Sequence, residues 1–287
     1  MVVRSALIVA LVGACLATLA PNTARAGGWT QAPGHFYLKL WDRSLIRGSS
    51  AFVADTLGHT EDVPRFSDHQ LNLYGEVGVH ERVTVVAALT PVGHAKIGGA
   101  SSTYMGPLVF GARVGLLRGS TPIAVEAHYG YVPGVGDDAL YDVMQSGTDG
   151  VDRRIVYRPT VENHRFELQL QMGHGFRIRE TNAWFTASLG ARANTDYRSA
   201  LTAFAQVGVQ PWRFTLDLHV GVYEPFGGDI AITNVSGAGN TRYLGMGIGI
   251  AFALTDNIGL TFGAEGVLYA SSNAATPSYL FGIEAKH

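Results

Sequence analysis

The sequence predicts an all-β fold, a single antiparallel transmembrane β-barrel of about 12 strands. Three observations carry that expectation. Apolar and polar residues alternate through segments of about 9 to 14 residues, longer than the ~5 to 6 of ordinary strands and matching the ~9 to 11 of a tilted bilayer crossing. The links between segments fall into short and long ones in alternation. Ionisable residues keep to one parity of the strands.

The first element is not part of the barrel. Residues 1–26 read MVVRSALIVALVGACLATLAPNTARA, with Arg4 before an apolar run from Ala6 to Ala20 and a small-x-small site at Ala24-Arg25-Ala26. This is the pattern of a secretory signal peptide, and the run is shorter than the ~20 residues of a membrane-spanning helix. A second reading stays open, because Val12-Gly13-Ala14-Cys15 resembles a lipobox and would make Cys15 a lipidated N-terminus. The run continues past Cys15, which suits cleavage after Ala26 better. Residues 27–287 then form one barrel domain. Cleavage removes the single cysteine, so no disulfide is available. Loss of Arg4 and Arg25 leaves 19 basic against 23 acidic residues, a formal charge of −4. That balance offers nothing to nucleic acid, and no later apolar run is long enough for a helical span.

Twelve segments follow, at 34–42, 66–79, 82–90, 106–117, 122–132, 164–178, 183–194, 200–209, 212–223, 242–254, 258–270 and 278–286. The short links are 80–82, 118–121, 179–182, 210–211 and 255–257. The long ones are 45–65, 98–105, 133–160, 225–240 and 271–277, while 195–198 is short where a long link is due. Short periplasmic turns and long outer loops belong to an outer-membrane barrel, and an even strand number brings both termini to the periplasm.

Parity separates the two faces. In HRFELQLQM, Phe166, Leu168, Leu170 and Met172 share one face and Arg165, Glu167, Gln169 and Gln171 the other. Asp217 and His219 oppose Phe214 to Val222; Glu126 and His128 oppose Ile123 to Tyr131; Arg113 and Arg192 keep the same polar parity. A charge facing lipid at mid-bilayer costs ~2 to 4 kcal/mol for Arg or Lys, so the polar parity is assigned to the lumen. Gly78, Gly115, Gly130, Gly173, Gly208 and Gly221 also fall there, where a soluble surface would carry polar side chains. Candidate lumen-lining residues of a solute path are therefore Arg113, Glu126, His128, Arg165, Glu167, Arg192, Asp217 and His219. Simple lumen packing by paired charges is the competing account. Aromatics near segment ends are assigned to interfacial girdles: Phe36, Tyr104, Tyr129, Tyr131, Trp184, Trp212, Tyr223, Tyr243, Tyr269 and Tyr279.

Residues 28–40, GWTQAPGHFYLKL, and 66–91, FSDHQLNLYGEVGVHERVTVVAALTP, resemble outer-membrane barrels associated with meta-pathway phenol degradation. That group is loosely related to the long-chain fatty-acid transporters. The resemblance covers mainly residues 28–97. It implies passive uptake of hydrophobic small molecules such as aromatics or fatty acids. One departure is plain: only about eight residues, Gly27 to Gly34, precede the first strand, too few for the sizeable plug of that transporter class. In that class a kink in the wall opens a lateral exit, and Pro91 with Gly93 is the corresponding candidate kink here; relaxed pairing at the outer end of the strand is the plainer reading of Pro91.

No catalytic residues, metal or cofactor are expected. Outer-membrane lipases carry His-x-Ser near the rim, and this chain has none. The loop 133–160 holds Asp137, Asp138, Asp142, Asp149 and Asp152 with Arg153, Arg154 and Arg158. It folds inward as a lid or stands outside as a hairpin, with its charges solvated by default. The expected function is an outer-membrane channel for a small hydrophobic solute; a closed structural or surface-interaction barrel is the alternative, and a lipid-modifying enzyme a more remote one. The expected partners are outer-membrane lipid, the solute and the barrel-insertion machinery. The chain ends Glu284-Ala285-Lys286-His287 rather than in the aromatic residue that machinery usually reads. Oligomeric state and solute identity are left open.

Overall fold

The computed structural model describes residues 29–134, 139–227 and 230–287. The expected signal peptide and Asp137 and Asp138 lie outside the described residues. Twelve long strands follow in order: β1 Phe36–Phe52, β2 Thr60–His80, β3 Val83–Ile97, β4 Leu108–Leu117, β5 Ile123–Val132, β6 Asn163–Ile178, β7 Thr181–Asn194, β8 Ala200–Gln210, β9 Phe214–Pro225, β10 Arg242–Ala253, β11 Ile258–Ser271 and β12 Ser278–Lys286. Each pairs antiparallel with the next, and β12 returns to β1 with Tyr37 opposite Lys286 and Leu45 opposite Ser278. The sheet is thus a closed 12-stranded barrel. Closure gives each of the twelve strands a paired neighbour on both sides, which a wall in lipid requires.

The barrel is inside-out relative to a soluble protein. Phe166, Leu168 and Leu170 are 58%, 59% and 53% exposed, whereas Glu167 between them is 7% exposed. The expected alternation of HRFELQLQM therefore holds, with the apolar half outward. The turns 81–82, 118–122, 179–180, 211–213 and 254–257 gather at the end where β1 starts and β12 finishes. The longer links lie at the other end. The link at 195–199 is the expected short exception.

Three expectations are corrected. The loop expected at 45–65 shrinks to 53–59, because β1 and β2 continue outward as a paired hairpin down to Phe52 opposite Thr60. Their outer halves turn Leu45, Val63 and Phe66 inward to a core, so they have a reason to stay extended. Pro91 is not at a strand's outer end. It sits within β3 at a register shift between Leu73–Leu89 and Leu71–Val92, a bulge where its missing N–H breaks no ladder bond. Beyond the bulge β3 continues to Ile97, paired with the short strand Ala100–Tyr104, and Gly93 lets the Tyr104 ring lie across it. The outward face is also not free of ionisable groups. Asp42 shares the parity of Leu38 and Leu40, and Ser44 hydrogen-bonds both Asp42 and His69, the latter at 2.8 Å. His174 shares the parity of Phe166 to Ile178 and is bonded to Thr121 Oγ1 at 2.8 Å.

Both ends of the barrel are partly closed by chain. At the short-turn end, residues 29–33 tuck inward across Gly78. Gln31 N–H donates to Thr84 Oγ1 (2.7 Å), its amide donates to Glu76 Oε2 (2.9 Å), and Trp29 C=O accepts from Arg113 Nη1 (2.9 Å). Few as they are, these residues fill part of the inner mouth. At the far end the loop after β5 forms a hairpin of Tyr141–Ser146 and Asp152–Tyr157, with Thr233–Asn234 added in parallel to Ile155 and Val156. It folds over the barrel as a lid. Ile155, Tyr157 and Val235 join Leu45, Phe66, Ile97 and Tyr104 in one buried cluster, with Tyr157 5.8 Å from Phe66. Burying each such side chain contributes ~1.5 to 3 kcal/mol, enough to hold a loop of this size. The loop charges depart from the solvated expectation at Arg153, which is buried, while Asp142 and Arg154 pair at the surface (2.6 Å).

Candidate functional site

The eight expected lumen residues all lie on inward-facing parity, and the register sorts them into three clusters. Arg113 on β4 stands opposite Glu126 on β5. Its Nε donates to Glu126 Oε2 (2.5 Å) and its Nη2 to Glu76 Oε1 (2.9 Å), which also accepts from the Tyr74 hydroxyl (2.5 Å). His128 Nε2 lies 2.7 Å from Glu126 Oε1 without the geometry of a hydrogen bond. Arg113, Glu126 and Glu76 are all buried. This cluster packs the inner third and ties down Trp29; parity puts Glu76 on the polar face of its strand, but the sequence reading joined neither it nor Tyr74 to Arg113.

The second cluster is centred on Glu167 of β6, opposite Arg192 of β7. Arg192 donates from Nε (2.9 Å) and Nη2 (2.8 Å) to one oxygen, Oε2. The other oxygen accepts from Gln169 and Thr202, both at 2.8 Å. The carboxylate is fully engaged. Arg192 also stands over the Tyr223 ring (5.4 Å), and Tyr223 is stacked on Tyr243 (5.9 Å, 12°). Arg165, one register position outward, lies across Gly130 and has no ion-pair partner among the described residues. The third cluster is Asp217 and His219 on β9 (3.2 Å), with His219 stacked against Phe204 (5.9 Å).

A common device arranges these side chains. A large inward residue lies flat over a glycine on the adjoining strand: Trp184 over Gly208, His219 over Gly247, His128 over Gly111. The missing Cβ gives the ring its bed, so the lumen glycines are packing partners rather than gaps. Tyr104, Trp184, Tyr223 and Tyr243 consequently belong inside the barrel, not in the girdles expected for them. Phe204 is an inward aromatic that the sequence reading passed over; its parity with Thr202 and Gln206 is the signal that would have found it.

Three chambers run through the interior. One of about 790 Å³ opens at the short-turn end among Lys39, Trp184, Gln206, Asp217 and Lys286. A middle one of about 460 Å³ lies between Trp29, Tyr74, Gln169 and Ser188. A third of about 570 Å³ lies under the lid, among Phe66, Tyr157, His219 and Tyr243. Gln206 borders the first two, and Phe204 borders the middle and outer ones.

The fold is that of an outer-membrane β-barrel. The chain is similar to an outer membrane channel from Pseudomonas putida F1, with a TM-score of 0.55 at 12% identity over 92% of this chain and 100% of that one. Looser matches are the KdgM porin (TM-score 0.45, 8% identity, 87% of this chain and 98% of that one) and the CymD monoaromatic hydrocarbon channel (TM-score 0.43, 10% identity, 90% and 89%). No protein-family model and no curated protein matches the sequence. At these identities the likeness concerns architecture.

Two other groupings bear on chemistry. The outward Asp42–Ser44–His69 set has a serine beside an imidazole, but the Ser44 hydroxyl donates to Asp42 instead of to His69. In a hydrolytic triad the carboxylate orients the imidazole and the imidazole takes the serine proton. The bonding order here differs. In the lid, His59, Glu61 and Asp149 bring potential metal-ligand atoms within 4.8 Å of one another. The Arg153 guanidinium already supplies positive charge there, bonding Asp149 twice (2.7 and 2.6 Å) and Asp55 once (2.8 Å). Those bonds hold the Asp55 and Asp149 carboxyls below their ordinary range, and His59 does the same for Glu61.

Proposed function

We propose that the protein is an outer-membrane channel through which a small, largely hydrophobic solute crosses passively. The observation that carries this reading is the row of three chambers that share Gln206 and Phe204 as lining residues, walled by aromatic rings as well as by charge. Paired charges keep water and ring-faced walls side by side, which suits a flat solute with a polar edge. Arg113, Glu126, His128, Arg165, Glu167, Arg192, Asp217 and His219 are then the polar side of the path, with Arg113 and Glu126 serving packing first. The outer-membrane location and the signal peptide belong to the same proposal, as does passage to or from lipid at the β3 bulge. The channel from Pseudomonas putida supports this reading through its shared architecture.

A closed structural barrel is the second reading, and the buried lid core favours it. Planar-bilayer recording separates the two. A channel gives discrete current steps, and Phe204→Ala, which removes the ring between the middle and outer chambers, raises the step size several-fold. A correctly inserted but silent wild type, silent also as Phe204→Ala, overturns the channel reading.

A further inference from the structure

Gly221 breaks the pattern of occupied lumen glycines. It faces inward on β9 between Phe204 on β8 and Gly245 on β10. Nothing lies within 4 Å of the place its Cβ would take. The space above it is a recess of about 170 Å³. Its apolar walls are Phe204, Tyr223 and Tyr243, and its polar side is Arg192, Glu167 and Thr202. An apolar cavity of about 150 Å³ is known to accept benzene, so this one has the size for a single six-membered aromatic ring. Phe204, stacked on one side by His219, and the edges of the stacked Tyr223–Tyr243 pair are the aromatic contacts a ring would gain beyond simple burial.

The charge at the recess is as specific as its shape. Both oxygens of Glu167 are used by Arg192, Gln169 and Thr202, so that carboxylate is already satisfied. Arg192 bonds it through Nε and Nη2, leaving Nη1 without a partner among the described residues. Arg165, which acts electrostatically on both Arg192 and Glu167, brings a second cation with no ion pair of its own among the described residues. Among the described residues, two guanidiniums against one carboxylate leave one positive charge over. A planar guanidinium is matched to a carboxylate, in geometry and in hydration, better than to a neutral ring.

We propose that the Gly221 recess is a binding subsite for a monocyclic aromatic carboxylate, its ring in the notch between Phe204 and Tyr223 and its carboxylate toward Arg192. This rests on the channel reading for its role in passage, since the subsite lies where the middle and outer chambers meet. As a site it stands independently, because binding is measurable without conduction.

The test is titration calorimetry of the purified full-length barrel in detergent, with benzoate as the probe. Cyclohexanecarboxylate and benzyl alcohol are the comparison probes, the first lacking the aromatic ring and the second lacking the charge. Heat-modifiable migration on gels reports that each variant is folded. The wild type is expected to bind one benzoate, with both comparison probes at least about tenfold weaker. Gly221→Leu puts a side chain into open space, so the wall accommodates it while the notch is filled; benzoate is expected to weaken at least about tenfold. Phe204→Leu keeps volume and removes the ring, and serves as the second variant if Gly221→Leu does not fold; it too is expected to weaken benzoate. A folded wild type that does not bind benzoate overturns the proposal. So does unchanged affinity in Gly221→Leu, or in Phe204→Leu where that variant stands in for it. Parallel bilayer recording keeps the two ideas apart. Benzoate binding by a silent barrel removes the channel reading and leaves the subsite, and current steps without benzoate binding do the opposite.

Discussion

Arg113→Met lowers the stability of the folded barrel by about 3 to 5 kcal/mol, the largest single-residue effect expected in this molecule. The guanidinium is buried between Glu126 and Glu76, at 2.5 and 2.9 Å, and holds the Trp29 carbonyl as well. Its removal leaves two carboxylates in a confined space facing one another and His128. Breaking a buried pair by deleting one partner is far more costly than replacing the whole set, because it strands the other charge. Hence the triple variant Arg113→Met, Glu76→Gln, Glu126→Gln should regain most of the loss. Urea unfolding of the barrel in lipid vesicles, followed by tryptophan fluorescence, reads both. If the single variant falls by less than about 1 kcal/mol, the cluster is not a packing element. The same change frees residues 29–33 at the inner mouth. Any conductance should therefore rise in Arg113→Met, and should stay raised in the triple variant even as stability returns.

This cluster also marks how far the sequence could be read. Which way Arg113 and Glu126 point follows from period 2, a property of each strand alone, so inward parity was legible for all eight candidates. That Arg113 meets Glu126 and Arg192 meets Glu167 is a matter of register between neighbouring strands. Alternation does not encode register, and hairpin turns fix it only for adjacent pairs. That Arg113 also meets Glu76 is harder still, since β3 lies between their strands and only the curvature of a narrow lumen brings them together. The aromatic girdle failed for a related reason. Nearness to a strand end was allowed to outrank parity, although Tyr223 shares its face with Asp217 and His219. Phe204 was lost in the same way, as one ring on a strand whose other inward residues are small or polar. Conversely, Asp42 shows that one outward charge is tolerated where Ser44 hydrogen-bonds it. The lid was the least legible part, because its core joins β1, β2 and β3 to residues more than 50 positions downstream.

Arg153→Ala should open that lid, and its pH dependence should show how the clasp works. Arg153 is the only cation that joins the hairpin Tyr141–Tyr157 to the β1–β2 loop through hydrogen bonds among the described residues, reaching Asp55 at 2.8 Å and Asp149 at 2.6 Å. Glu61, buried beside it, is held by His59 (2.9 Å) and by the Thr148 N–H (3.0 Å). Hydrogen bonds from Arg153 depress the Asp55 and Asp149 carboxyls, and the bond to His59 depresses Glu61. A depressed carboxyl stabilises the folded form above its ordinary value near pH ~4, and that contribution is lost as pH falls through the lowered value. The clasp is therefore at full strength from about pH 8 to about pH 5 and begins to fail only below about pH 4. In the wild type, protease cleavage within the exposed tip at residues 147–150 should be slow and constant across the upper range, then accelerate in stronger acid for an acid-tolerant protease such as pepsin. In Arg153→Ala the tip should be cut at least about tenfold faster above about pH 5, since the positive charge that gathers Asp55, Glu61 and Asp149 is gone and the three carboxylates repel one another, and the two rates should converge in stronger acid. Conductance should follow cleavage if the lid gates the outer chamber. A cleavage rate for Arg153→Ala equal to wild type would mean that the Tyr157–Phe66 core holds the lid unaided, and a wild-type rate that climbs between about pH 7 and about pH 5 would mean that the Asp55, Glu61 and Asp149 carboxylates are not what governs it.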